Sequence, residues 1–241
     1  GLVEQGKLKL DADINASLQG WQLPKPEALQ PDFVTLRQLL SHTGGLGVHG
    51  FPGYATDATR PSVTQILDGL APANSPAVRI EQAPGASFRY SGGGYTIAQL
   101  AIEQASGQSF AEWAAQSLFQ PLQMRNSGFD QPPSRKALRN AASAHAQGNV
   151  IDGGFHVYPE LAAAGLWTTP GDLAQLLIHV QQAQTGQANS RLPSAMVRQM
   201  LTAQTDGWGL GFALQGEGDS LRFGHDGVNE GFESSMVAFA N

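Results

Sequence analysis

The groups in this chain that could do chemistry are hydroxyls, six histidines and lysines at 7, 9, 25 and 136; there is no cysteine. A thiolate nucleophile, a thiolate metal site and a disulfide framework are therefore excluded. A serine hydroxyl is a poor nucleophile until a neighbouring base takes its proton. Several short motifs match familiar sites and fail on context. Gly45-Leu46-Gly47-Val48-His49-Gly50 fits G-x-G-x-x-G, but a dinucleotide site needs a strand before it and a helix after it. Here a helix precedes it and Phe51-Pro52-Gly53 follows. Asp11-Ala12-Asp13-Ile14-Asn15 opens like a calcium loop, yet Ala16 and Gln22 stand where that loop needs glycine and glutamate. There is no H-E-x-x-H, and the histidines are scattered, so no metal site is expected. No G-x-S-x-G elbow occurs either.

The elements that would position a site are well punctuated. Thr35-Leu36-Arg37-Gln38, Ser62-Val63-Thr64-Gln65 and Ser109-Phe110-Ala111-Glu112 are capping boxes that open helices. Ile97, Leu100, Ala101 and Gln104 lie on a helix that Gly107 stops, and the Ser109 helix must end before Pro121. Thr169-Pro170-Gly171-Asp172 gives a cap, a proline at the first helical position and a carboxylate in the first turn. Leu173, Leu176, Leu177 and Val180 form that helix's apolar stripe, and Met196, Val197 and Met200 suggest another. Strands are expected near the end: Trp208–Leu214 by alternation, a turn at Gly216–Asp219, Leu221–Phe223 as its partner, and Phe232–Phe239. Helices in the middle and an antiparallel meander at the end make an α+β pattern. One domain is expected over 1–241, mainly helical over roughly 35–205 and sheet-forming over 206–241. Gln131–Gly154 lacks periodicity and reads as a surface excursion.

Five segments, in order, resemble the serine β-lactamase and DD-peptidase superfamily. They are Leu39-Leu40-Ser41-His42-Thr43-Gly44-Gly45-Leu46, Pro84 to Tyr95, Phe119-Gln120-Pro121-Leu122-Gln123-Met124, Ala164 to Leu173, and Phe223 to Phe232. The branch they are most similar to holds class C β-lactamase-related serine hydrolases, including esterases and D-aminopeptidases. The resemblance covers nearly the whole chain and implies an antiparallel sheet flanked by helices, with an all-helical subdomain and the site between them.

That family works with a Ser-x-x-Lys, a Tyr-x-Asn or Ser-x-Asn, and a Lys-Thr-Gly or His-x-Gly. The second element is matched by Tyr90-Ser91-Gly92 and the third by His225-Asp226-Gly227. The first is absent: Glu4, Gly6, Gln22 and Pro133 stand three places before the four lysines. The resemblance implies that the nucleophile lies upstream of Gly1. Gly1–Gly6, read as the last turn of a helix, and a strand pattern stopping at Asn241 lead to the same expectation of a fragment, incomplete at both ends. Tyr90 would be the base or proton relay if cations lower its pKa from about 10. His225 is one such cation. The Val228 amide would be one of two oxyanion donors. Ser91, Gly227 and Asn229 are the candidate substrate contacts, Gly227 by letting substrate backbone lie against the strand. Gly92 stands where many relatives carry asparagine. His42 reads as a structural residue that bonds local backbone at a helix end.

The chain has 241 residues, a net charge of -6 and 14% charged residues. It has no basic run, so nucleic acid is not an expected partner. Its apolar stretches are too short to span a bilayer. No cofactor is expected. The partners expected are a small-molecule or peptidoglycan-like substrate, and an N-terminal segment or a second copy that completes the sheet. The bacterial periplasm or the exterior is favoured over the cytoplasm. The function expected is acyl transfer through an acyl-enzyme, on an ester, β-lactam or D-amino-acid peptide. The alternative is a binding protein that keeps the cleft without the nucleophile.

Overall fold

The computed structural model describes residues 1–26, 28–187 and 191–241. Helix α1 (Leu36–Leu40) and α2 (Val63–Asp68) begin at the Thr35 and Ser62 boxes, each closed reciprocally by a glutamine at the third position. The same device opens α4 (Phe110–Ala114) with Ser109 and Glu112, and α4 runs on into a π-helical turn, Ala115–Phe119. Between them lies α3 (Gly92–Ser106), capped by Ser91 and stopped by Gly107 in the left-handed conformation. Helix α5 (Arg135–Leu138) and a two-stranded hairpin, β1 (His145–Ala146) with β2 (Asn149–Val150), lie within the excursion. Short α6 (Leu161–Ala164) precedes α7 (Pro170–Gln184) and α8 (Ser194–Met200).

The sheet is antiparallel, in the order β3 (Ala213–Gln215), β4 (Arg222–Asn229), β5 (Phe232–Phe239). The expected strand over Trp208–Leu214 is therefore mostly a turn. Gly211 sits at φ 86°, and the Gly209 amide bonds the Phe212 carbonyl. Alternation alone misread this segment, because left-handed backbone cannot continue a ladder. The partner strand is longer than Leu221–Phe223, and it carries the whole His225–Asn229 segment into the sheet.

One sheet face is apolar and covered. Phe223 is buried and meets Phe212 edge-to-face at 5.2 Å, with Val180, Ala183, Val197 and Leu201 from α7 and α8 around them. A second core joins α1, α3 and the N-terminal loops through Leu39, Leu46, Val78 and Ile97. The three glycines that open α3 allow this contact. A Cβ at Gly93 would lie 2.8 Å from Val78 and one at Gly94 3.3 Å from Leu46. The glycines of the Gly45–Gly50 motif serve packing as well: a Cβ at Gly45 would lie 2.2 Å from the Gln82 carbonyl oxygen. Among the described residues no helix is long and apolar enough to cross a membrane, and no cluster of metal-ligating side chains occurs.

Candidate active site

Tyr90 precedes the Ser91 cap of α3, and His225 lies in the middle of β4. The fold brings their rings to 6.2 Å between centroids. Trp208 stands edge-on to both, at 6.0 Å from Tyr90 and 5.5 Å from His225. His42 also lies against Tyr90, stacked at 4.1 Å and itself 5.1 Å from Trp208, and His49 is at 4.8 Å from Tyr90. Sequence reasoning missed Trp208 as a member of this cluster. It was read as a strand residue, and only the turn through Gly209 and Gly211 turns its ring to Tyr90.

The backbone of β4 sets the polar groups. Asn229 and Phe232 are the last pair before the Glu230-Gly231 turn, so their backbone groups exchange bonds. By the alternation of an antiparallel ladder, the amides of His225, Gly227 and Asn229 then point to β5. Those of Asp226 and Val228 point the other way, where β3 reaches only as far as Gly224. The Val228 amide therefore faces an edge of the sheet that no strand among the described residues covers. His225 Nδ1 bonds the Asp226 carbonyl at 2.5 Å. A carbonyl only accepts, so Nδ1 carries the proton and a neutral ring leaves Nε2 free to take one.

Two expectations change at this point. Ser91 is buried, its hydroxyl donates to the Gly47 carbonyl at 2.6 Å, and it accepts the Gly94 amide at 3.1 Å. Its role is to cap α3, because a buried hydroxyl with both functions engaged has nothing to offer a substrate. Asn229 donates a side-chain N–H to the Ala164 carbonyl at 2.9 Å, which ties the end of β4 to α6. Burial also pushes the Tyr90 hydroxyl up from its ordinary value. These residues alone do not lower it as a base would require, since no lysine lies in the motif. Ser41, another serine of the matched segments, is fully buried and bonded to the Arg37 carbonyl and Thr43.

Gly92 is shaped by its neighbours. A Cβ there would lie 3.1 Å from both the His49 carbonyl oxygen and the Phe51 ring. The space beside Gly92 is lined by Phe51. Gly92→Asn should therefore overpack this corner and cost about 1–3 kcal/mol of stability, read from the urea midpoint. An unchanged midpoint would mean that Phe51 moves aside freely.

The Beta-lactamase family model matches residues 1–241, and the chain belongs to that family. It is 24% identical over 169 residues to a putative D-alanyl-D-alanine carboxypeptidase of Escherichia coli (strain K12), covering 69% of this chain and 38% of that one. It is 22% identical over 188 residues to a teichoic acid D-alanine hydrolase of Staphylococcus aureus, covering 75% and 42%. The chain thus spans about four tenths of the length of these two relatives. Among solved structures, a D-stereospecific amidohydrolase from Streptomyces sp. superposes with a TM-score of 0.73 at 21% identity, over 99% of this chain and 73% of that one. The octameric penicillin-binding protein homologue from Pyrococcus abyssi gives 0.73 at 21%, over 99% and 55%. These likenesses establish the α+β fold.

Proposed function

We propose that the cleft between α3 and β4 is the acyl-transfer site of a serine hydrolase, acting on an ester, β-lactam or D-amino-acid peptide. The observation that carries this reading is the approach of Tyr90 to His225, on a strand whose Val228 amide faces no partner strand among the described residues. A phenol and an imidazole next to an open N–H can move a proton and hold a developing oxyanion. In this reading Tyr90 relays the proton, His225 tunes the phenol, Gly227 lies against the substrate backbone and Val228 donates to the oxyanion.

The nucleophile comes from outside residues 1–241. No Ser-x-x-Lys occurs among them, and Ser41 and Ser91 are committed to buried hydrogen bonds. A lysine arriving with that serine would also supply the cation that Tyr90 lacks. The substrate is peptidoglycan-like or a small ester, and the place of action is outside the bacterial cytoplasm, in keeping with the relatives' names. The absent motif equally favours a second reading, a binding protein that retains the cleft.

Intact-mass spectrometry distinguishes the two. The 241 residues alone should form no covalent adduct with a penicillin or a fluorophosphonate, because units of this kind lose most of their rate when one member is missing. The full-length protein should label stoichiometrically. A stoichiometric adduct on the isolated chain would overturn the claim that the nucleophile lies elsewhere. A full-length protein that never labels would favour the binder.

A further inference from the structure

His42 belongs to a loop, and the acyl-transfer reading gives it no role, yet it is among the most constrained residues of the molecule. It is 2% exposed and holds φ at 55°, a conformation that side-chain-bearing residues seldom adopt. Such backbone persists only where its surroundings over-determine it, and it clusters at functional sites. Three contacts over-determine it here, and all three fall on Tyr90 or its immediate neighbours. The His42 carbonyl accepts the Arg89 amide at 2.7 Å. Its Nδ1 accepts the Ser91 amide at 3.0 Å. Its ring lies on the Tyr90 phenol at 4.1 Å with 26° between planes.

We propose that His42 is the positioning residue of Tyr90: it grips the backbone on both sides of that tyrosine and fixes the plane of its ring against His225. The proposal rests on the reading of Tyr90 as the proton-handling group. A one-residue clamp of this kind sets the phenol oxygen without touching substrate. Small displacements of a reacting group are expensive, about 10²-fold for 1 Å.

The chemistry of the ring fits the task. Because Nδ1 accepts an N–H, the single proton of the imidazole sits on Nε2. Burial first, then the positive fields of His225 and His49, hold its pKa down to about 3. The ring is therefore neutral at pH values well above 3, where Nδ1 keeps the Ser91 amide. The titratable groups around Tyr90 are His42, His49, His225 and Tyr95, whose hydroxyl is tied to the Leu40 carbonyl at 3.0 Å. The imidazole also shields one face of the phenol from water, in line with burial as the cause of its raised pKa.

Two substitutions separate the clamp from the stack. Asparagine tolerates the left-handed backbone and can still accept the Ser91 amide, so His42→Asn removes the ring alone. His42→Phe keeps a ring and removes the acceptor. Tyr90 titration is read by NMR of ¹³Cζ-tyrosine in the 241-residue chain, with Tyr90→Phe for assignment. In His42→Asn the Tyr90 pKa should fall back towards about 10 while the amide spectrum of the remainder is preserved. In His42→Phe it should stay raised. In the full-length protein, acylation by a chromogenic ester should slow about 10-fold or more in His42→Asn, with KM within about twofold. A Tyr90 titration unchanged in His42→Asn overturns the proposal. A shifted titration with unchanged acylation leaves His42 as the clamp and instead removes Tyr90 from the chemistry. If His42→Asn fails to fold, the His42→Phe spectrum decides: a Tyr90 resonance indistinguishable from wild type means that the Ser91 bond positions nothing.

Discussion

Full-length protein carrying Tyr90→Phe should acylate about 10²–10⁴-fold more slowly than wild type, the usual contribution of a positioned proton-transfer group. The substitution removes one oxygen and leaves the stack on His42 and the edge contact with Trp208 intact. Loss of fold is thus a poor explanation for a loss of rate. The size of the effect depends on what lowers the phenol's pKa. In the residues described here burial raises it, so Tyr90 becomes a usable base only when a cation lies within about 4–6 Å of its oxygen. The pH profile of acylation measures that cation. A Tyr90 titration at lower pH in the full-length protein than in residues 1–241 identifies the added residues as its source. Acylation within a few-fold of wild type in Tyr90→Phe would remove the tyrosine from the mechanism, and His225 Nε2, which can accept a proton, would be the group left to act.

How much of this was legible from the residues follows the range of the forces involved. Capping boxes are local, and each of Thr35, Ser62 and Ser109 opens a helix as its spacing demands. Gly107 stops α3 for an equally local reason. The segment Trp208–Leu214 was read as a strand because its alternation is real. Which residues then use positive φ is decided by the bonds of Leu210 to Met200, at the end of α8, and of Gly211 to Leu40, far away in sequence. The membership of Trp208 in the site was hidden for the same reason.

The site itself was legible only as motifs. Tyr90 and His225 come from segments that resemble a family, and the approach of their rings is tertiary. Ser91 illustrates the opposite error. Its place in the motif suggested a substrate contact, but a serine three residues before a helical amide is equally a cap. The buried bond to Gly47 resolves this in favour of the cap. His42 was read as bonding local backbone. It does so, its N–H donating to the Leu39 carbonyl at 3.3 Å, and its ring also accepts the Ser91 amide at the start of α3.

Glu160 gave no signal in the sequence, and it leads to the second large effect. Its carboxyl is fully buried, with one oxygen receiving the Tyr54 hydroxyl at 3.4 Å and the other without a hydrogen-bond partner. Burial pushes its pKa up to about 7, against the smaller opposing effects of its own backbone amide and Tyr54. Folding therefore binds a proton that the unfolded chain releases near the ordinary carboxyl value of 4.5. The sign follows directly. The folded state holds more protons between these two values, so stability falls as pH rises from about 4.5 to about 7, and the loss is complete above it. A shift of this size corresponds to a loss on the order of 3 kcal/mol. Glutamine is neutral and of the same shape, so Glu160→Gln should match wild type near pH 4 and exceed it by that amount at pH 8. Urea melts of both proteins at the two pH values measure this directly. The effect should also reach the cleft. The Glu160 carbonyl anchors the first turn of α6 through Ala163 and Ala164, and the Ala164 carbonyl holds Asn229. Neighbouring Tyr158 accepts the Glu230 amide at 2.9 Å. Ionising a carboxylate behind this lattice loosens the turn that follows Val228 before the whole molecule unfolds. Hydrogen exchange at the Glu230 amide should therefore speed up above about pH 7 in wild type, beyond its intrinsic pH dependence, and not in Glu160→Gln. Equal stability of the two proteins at pH 8 would mean that water reaches Glu160 and that its carboxyl is ionised in the folded state.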